Sequence, residues 1–302
     1  MTRKMAILSC LLAIGLLISV VGCESADAPV DVPEDVPLPG ETTLERAQRE
    51  GYVTVGFANE APFAYATEAG ELTGQNVEIA RAVLNNLGIE EMVGVLTEFG
   101  SLIPGLQANR FDMITAGMYI TSARAEEVAF ANPEYQIGGG LVVAAGNPHN
   151  LNSYWDIADN PDVTIAVMAG GLEYDHLIEV GVSEDQIVTV SDQPSTIDAL
   201  LAGRVDAATM TSMAARTYVE MSGDPSIELV EDFEIAVVDG APQAGFGSSA
   251  FRLEDTDFVE AYNQELENLK ASGELLAIQQ QFGFTEAEFP GDSTVEDALA
   301  SW

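Results

Sequence analysis

The chain has 302 residues, with 11 Lys+Arg against 49 Asp+Glu, a formal charge of −38, and 47% of its residues are hydrophobic. A charge of that sign and size excludes nucleic acid and anionic membrane surfaces as natural partners. The apolar content argues against the disorder that acidic composition alone would imply. A folded body is expected, under a strongly hydrated acidic surface, working in concentrated salt that screens its self-repulsion, and so in an organism of saline habitat.

Arg3 and Lys4 precede the apolar run Met5 to Val21, which ends in Val20-Val21-Gly22-Cys23. A positive start, an apolar core and a small residue before cysteine resemble a bacterial lipoprotein signal. Residues 1–22 are therefore expected to be a signal peptide and Cys23 the lipidated residue. The rival is a plain membrane anchor, since the run lies near the lower length limit for spanning a bilayer. Both readings put the rest of the chain outside the cytoplasm, and no second long apolar run follows. Removing Arg3 and Lys4 leaves 9 Lys+Arg against 49 Asp+Glu, with Lys270 as the only lysine. Cys10 and Cys23 are the only cysteines, so a mature body has no internal disulfide and must rely on a packed core.

Residues 23–43, rich in Pro, Asp, Glu and Ala, read as a flexible acidic tether. Folded structure should begin with a short helix at Leu44, capped by Thr42 or Thr43. Strand and helix patterns then alternate: a strand at Tyr52–Phe57, a helix at Val77–Leu87 stopped by Gly88, a strand at Met92–Thr97, a helix at Leu102–Ala108 and a strand at Met113–Met118. The rhythm repeats with a strand at Thr164–Met168, a helix at Leu172–Val180, a strand at Ile187–Val190, a helix at Ser195–Ala202 and a strand at Val205–Thr209. Helices at Asp257–Ser272 and Leu275–Phe282 close the chain. Two similar βαβαβ units argue for an α/β fold with largely parallel sheets.

The ordered segments GFANEAPFAY, LTGQNVEIARAVLNNLG, SLIPGLQANRFDMITAGMYITSARAEEVAFANPEY and DALLAGRVDAA resemble the type II periplasmic solute-binding proteins of polar amino acid ABC transporters, over about residues 45–285. TEFGSLIPGL, AGMYIT, SDQPST and GRVDAATMT bring the resemblance closer to the ectoine and hydroxyectoine receptors of that family. The resemblance implies two lobes, each a central, mostly parallel sheet flanked by helices, joined by two hinge crossovers near Leu141–Ala145 and Ala244–Gly247. Lobe 1 would hold 44–141 plus 246–302, and lobe 2 would hold 142–245. A solute would be enclosed between them by a hinge motion. A membrane permease is the implied partner, the membrane is met only through the lipid, and a monomer without cofactor or metal is expected.

Arg124 leads the implied site. With Thr121 it would clamp a carboxylate, since a guanidinium fork matches two carboxylate oxygens; the alternative is a surface arginine paired with Glu126 or Glu127. Glu60 and Glu173, one per lobe, would accept hydrogen bonds from the two N–H groups of a cyclic amidinium. Otherwise Glu60 is a solvated loop acid and Glu173, after Gly170-Gly171, only a helix N-terminal one. Phe63, Phe99 and Tyr119 would form aromatic walls against a delocalised cation, each close contact worth about 0.5–2 kcal/mol, unless they are core plugs. Thr211 stands where amino acid receptors of the family usually place the aspartate that binds an α-ammonium group. A primary amine is therefore not the obvious ligand. A zwitterion with one carboxylate and one ring-borne cation, such as ectoine or hydroxyectoine, fits the set. The rivals are a polar amino acid or betaine receptor and, from another class, a cyclohexadienyl dehydratase-like enzyme on the same fold with Glu173 as acid. Against an enzyme, His149 and His176 fall on no motif, His176 reads as a helix-surface residue, and no metal spacing, nucleophile elbow or phosphate loop appears.

Overall fold

Thr42 opens the first helix, Thr43–Glu50. Its hydroxyl accepts the Glu45 N–H while the Glu45 carboxylate accepts the Thr42 N–H, and Gly51 ends the helix in the left-handed conformation. The computed structural model describes Leu38 and residues 40–234, 237–238, 241–242 and 245–300; the expected signal 1–22, Cys23 and most of the tether lie outside the described residues. From Leu38 onward the chain forms one compact unit.

Among the described residues this unit holds two five-stranded sheets. The first runs in the order Glu91–Leu96, Tyr52–Phe57, Met113–Ile114, Ala250–Phe251, Ala129–Phe130. The second runs Ile187–Val190, Ile165–Met168, Ala207–Thr211, Gly139–Ala144, Ile227–Leu229. In each, the three strands that the sequence pattern reveals are parallel, with the earliest in the middle, and one antiparallel strand joins them to an outer strand that runs in their own direction. Helices Gln75–Asn86 and Thr256–Ser272 pack on the first sheet through Ile79, Val83, Leu84, Phe258, Tyr262 and Leu266, all fully buried. Each such side chain contributes about 1.5–3 kcal/mol of burial.

Two expected strands end elsewhere, and both differences shape the site. Only Met113–Ile114 of the expected Met113–Met118 pairs in the sheet. Gly117, at φ 68°, turns the backbone out of strand geometry, so the segment from Thr115 leads away from the sheet edge. The strand expected at Val205–Thr209 lies two residues later, which puts Thr211 at its carboxyl end. The first passage between sheets also falls earlier than expected. Gly139–Ala144 pairs along its length within the second sheet, so Leu141–Ala145 is not a crossover. The crossing segments are Tyr135–Ile137 and Gly245–Gly247, which pair antiparallel to each other. Helix Ser212–Ser222, which carries no motif in the sequence reading, follows Thr211.

The paired turns Asn109-Arg110-Phe111-Asp112 and Gly203-Arg204-Val205-Asp206 do the same job in each half. Asn109 (φ 55°) and Gly203 (φ 64°) take the left-handed conformation that reverses the chain after a helix. Asp112 then accepts the N–H of Thr54 at 2.8 Å and its hydroxyl at 2.7 Å; Asp206 accepts the same two groups of Thr164 at 2.8 and 3.0 Å. Each aspartate thus ties the third strand to the start of the first. Asp112 is further paired with Arg46 and Arg252, both largely buried. Asp206→Ala is expected to cost about 1–3 kcal/mol through its lost charged hydrogen bonds. Asp112→Ala is expected to cost more, because it also removes ion pairs with Arg46 and Arg252, which keep Glu50 and Asp255 as partners. Urea unfolding at fixed high salt checks the ranking, and a larger loss in the Asp206 variant contradicts it.

Candidate functional site

In both sheets the parallel strands point their carboxyl ends at the same region, the place where open α/β sheets hold ligands. Glu60 follows Tyr52–Phe57, Tyr119, Thr121 and Arg124 follow Met113–Ile114, and Phe99 follows Glu91–Leu96. From the other lobe, Gly170 and Glu173 follow Ile165–Met168, Gln193 follows Ile187–Val190, and Thr211 ends its strand.

The lobes meet across this region. The Arg124 guanidinium donates to the carbonyl of Tyr119 at 3.0 Å in its own lobe and to that of Gly170 at 3.1 Å in the other. Its carbon lies 5.4 Å from the centre of the Phe99 ring. Gly170, at φ 80°, comes so close to Gly100 that a Cβ there would meet the Gly100 Cα at 2.7 Å, so only glycine permits this approach of two backbones. The Tyr218 hydroxyl of helix Ser212–Ser222 accepts the Ala61 N–H at 3.1 Å and donates to the Asn59 carbonyl at 3.4 Å. The Gln193 carboxamide lies beside the Glu60 carboxyl and favours its charged form. Beside these contacts a cavity of about 300 Å³ runs between Ala58–Asn59 and Leu96–Glu98 of one lobe and Ser191–Asp192 of the other.

Glu60 and Glu173 are 3% and 6% exposed, so neither is a solvated acid. Burial raises the Glu60 pKa well above the usual carboxylate range, and the neighbouring Glu173 charge raises it further; Gln193 and Arg124 pull the other way. Burial also raises the Glu173 pKa, opposed by its own backbone N–H at the start of helix Leu172–Glu179 and by Arg124. Burial lowers the pKa of Arg124, and Glu173 offsets part of that. Two buried carboxyls from separate lobes thus lie near one half-buried guanidinium.

Other candidates have structural duties. Thr121 caps the turn Ser122–Ala125, its hydroxyl accepting the Arg124 N–H at 3.3 Å, so it positions the arginine. Thr211 caps helix Ser212–Ser222 through the Ala214 N–H at 3.2 Å. The Tyr119 hydroxyl donates to the Ile137 carbonyl at 3.1 Å, and its ring is buried next to the two acids. Phe63 is wholly buried, with its ring centre 5.1 Å from Tyr135 and 5.6 Å from Phe284. It therefore ties the site loop to the crossing segment Tyr135–Ile137. His176, expected on the helix surface, is buried instead, because Leu172–Glu179 turns it with Leu177 toward the protein interior. His149 lies 3.4 Å from Asp206, at the strand tie described above and not among the site residues.

Sequence reasoning missed Gln193, Tyr218 and Tyr135. Gln193 stood inside the segment SDQPST; its signal was its place just after a strand, at a helix start. Tyr218 gave none, because helix Ser212–Ser222 was not read. Among the described residues no cluster of His, Cys, Asp and Glu has the geometry of a metal site, and no helix is long and apolar enough to cross a membrane.

The chain belongs to the bacterial extracellular solute-binding proteins, family 3, whose model matches residues 53–286. It is 36% identical to a probable amino-acid ABC transporter periplasmic-binding protein, y4tE, of Sinorhizobium fredii, over 86% of this chain and 87% of that protein. It is 25% identical to the lysine/arginine/ornithine-binding periplasmic protein of Escherichia coli over 87% of this chain and 92% of that one. Among solved structures, EhuB in complex with hydroxyectoine is similar at 33% identity and TM-score 0.78, covering 86% of this chain and 98% of that chain. An arginine-binding protein of T. maritima matches at 27% identity and TM-score 0.69, covering 80% and 98%. The fold is that of the type II periplasmic binding proteins.

Two outcomes follow from this geometry. Arg124→Ala should keep its thermal transition and lose about a hundredfold or more in affinity for a carboxylate ligand, with Arg124→Lys between the two, as read by calorimetry. A bound cation lowers the pKa of Glu60 and Glu173 from their raised values, so binding should release protons, and affinity should fall as pH falls through the raised range. Titrations in buffers of different ionisation enthalpy check this; proton uptake, or no exchange, contradicts it.

Proposed function

We propose that this chain is an exported receptor of an ABC importer, held to the membrane by lipid on Cys23, that captures ectoine or hydroxyectoine between two closing lobes. The observation that carries the reading is the pairing of two buried carboxyls, Glu60 and Glu173, one from each lobe, around a single arginine. A cyclic amidinium has two N–H donors and spreads its charge over a planar group. One carboxyl in each lobe accepts one donor, and each closing lobe gains an ionic hydrogen bond only when the other does too. Arg124 takes the ligand's carboxylate, exchanging its contact with the Gly170 carbonyl for a charged partner. Phe99 and Tyr119 face the cation with their rings.

Rival ligands use the same residues less fully. A quaternary ammonium has no N–H to give two acceptors. A primary α-ammonium meets Thr211, whose hydroxyl is already engaged as a helix cap, where an acid would be needed. An amino acid receptor keeps support from the names of several relatives, and its side-chain cation would then occupy the place between the two acids. An enzyme reading rests on a likeness to an ancestral precursor of cyclohexadienyl dehydratase that, at 24% identity, carries the fold alone. The acidic composition supports work in concentrated salt, where compatible solutes are accumulated. In this reading a permease receives the solute, the receptor is a monomer outside the cytoplasm, and no cofactor takes part.

Calorimetry of the purified protein in high salt, against ectoine, hydroxyectoine, glycine betaine and a set of amino acids, tests the proposal. Micromolar or tighter binding of the ectoines alone is the expected result. Binding of amino acids alone keeps the receptor and overturns the ligand.

A further inference from the structure

Gln193 is 1% exposed and stands at the start of helix Gln193–Leu201, across the cleft from Glu60. Its backbone is engaged, the carbonyl accepting the Thr196 hydroxyl at 2.6 Å, and the neighbouring Asp192 carboxylate is used as the cap for the Ser195 N–H at 2.9 Å. Its carboxamide lies beside the Glu60 carboxyl, and its Oε1 is buried with no hydrogen-bond partner. A buried acceptor left unmatched is costly, and natural sites seldom keep one without a use.

The donor that would satisfy it follows from counting. An amidinium ring offers two N–H groups, and Glu60 and Glu173 take both. A third acceptor, next to the first, needs a third donor on the ligand close to its cationic nitrogen. The ligand's carboxylate offers none. A ring hydroxyl does.

We propose that Gln193 is a specificity-determining residue, whose carboxamide oxygen accepts a hydrogen bond from a ligand hydroxyl and so favours hydroxyectoine over ectoine. This rests on the ectoine reading given above. Sites built around a substrate hydroxyl discriminate against the analogue that lacks it, because the buried partner then stays unpaired. A preference of about tenfold or more is expected, equivalent to one hydrogen bond.

The test is the ratio of dissociation constants for the two ectoines, measured by calorimetry on the wild-type protein and on Gln193→Met, Gln193→Leu and Glu60→Gln. The ratio removes any loss common to both ligands, including any change in the charge state of Glu60. Retained ectoine binding reports that a variant is folded. A wild-type preference for hydroxyectoine that collapses toward unity in both Gln193 variants, and survives in Glu60→Gln at weaker overall affinity, is the expected result. Equal wild-type affinities, or a preference unchanged without the carboxamide, overturns the role of Gln193 while leaving the receptor reading intact. Binding of neither ectoine by the wild type overturns that reading, and this inference with it.

Discussion

Two carboxyls that approach each other out of water cannot both be charged without a cation between them. Glu60 and Glu173 come from different lobes, both are buried, and each raises the cost of ionising the other. Arg124 relieves part of that cost and is itself penalised by burial. This imbalance is the constraint around which the cleft is organised. It is the feature on which the proposed ligand, a single delocalised cation with two donors, rests.

The rest of the fold holds these groups in place. Parallel strands deliver the two acids and the arginine from their carboxyl ends, and the aspartates at 112 and 206 fix those strands in register with their neighbours. Phe63 locks the Glu60 loop to the crossing segment beside Tyr135, so the acid is positioned by the hinge region itself. Tyr218 and the Gly100–Gly170 approach bring the lobes together around the charged groups, not only through them. Closure therefore combines neutral contacts, which are indifferent to ligand, with a charged centre that is not.

Much of this was legible in the sequence, for physical reasons. Tyr52–Phe57 and Ile187–Val190 lie where their apolar runs put them, the first inside its sheet and the second at a sheet edge, half-buried to exposed. The first helix starts where Thr42 or Thr43 was expected to cap it, and Thr42 is the cap. Gly139–Ala144 was expected as a crossover, because a strand that closes a sheet antiparallel falls outside the repeating strand–helix rhythm. Thr211 was visible as a departure, but its work as a cap was not, because the strand before it ends two residues later than its pattern suggests. The site was legible as a set of charges. Tyr218 was not, since a phenol carries no sequence signal until the fold sets it opposite the other lobe, and Gln193 showed only its place after a strand at a helix start.

A crystal structure of the protein grown with ectoine in molar salt tests the central claim most directly. The account predicts the ring between the lobes, one N–H on Glu60, the other on Glu173, and the carboxylate on Arg124. A ring whose cation contacts the acid of one lobe only, or a ligand bound outside the cleft, would contradict it.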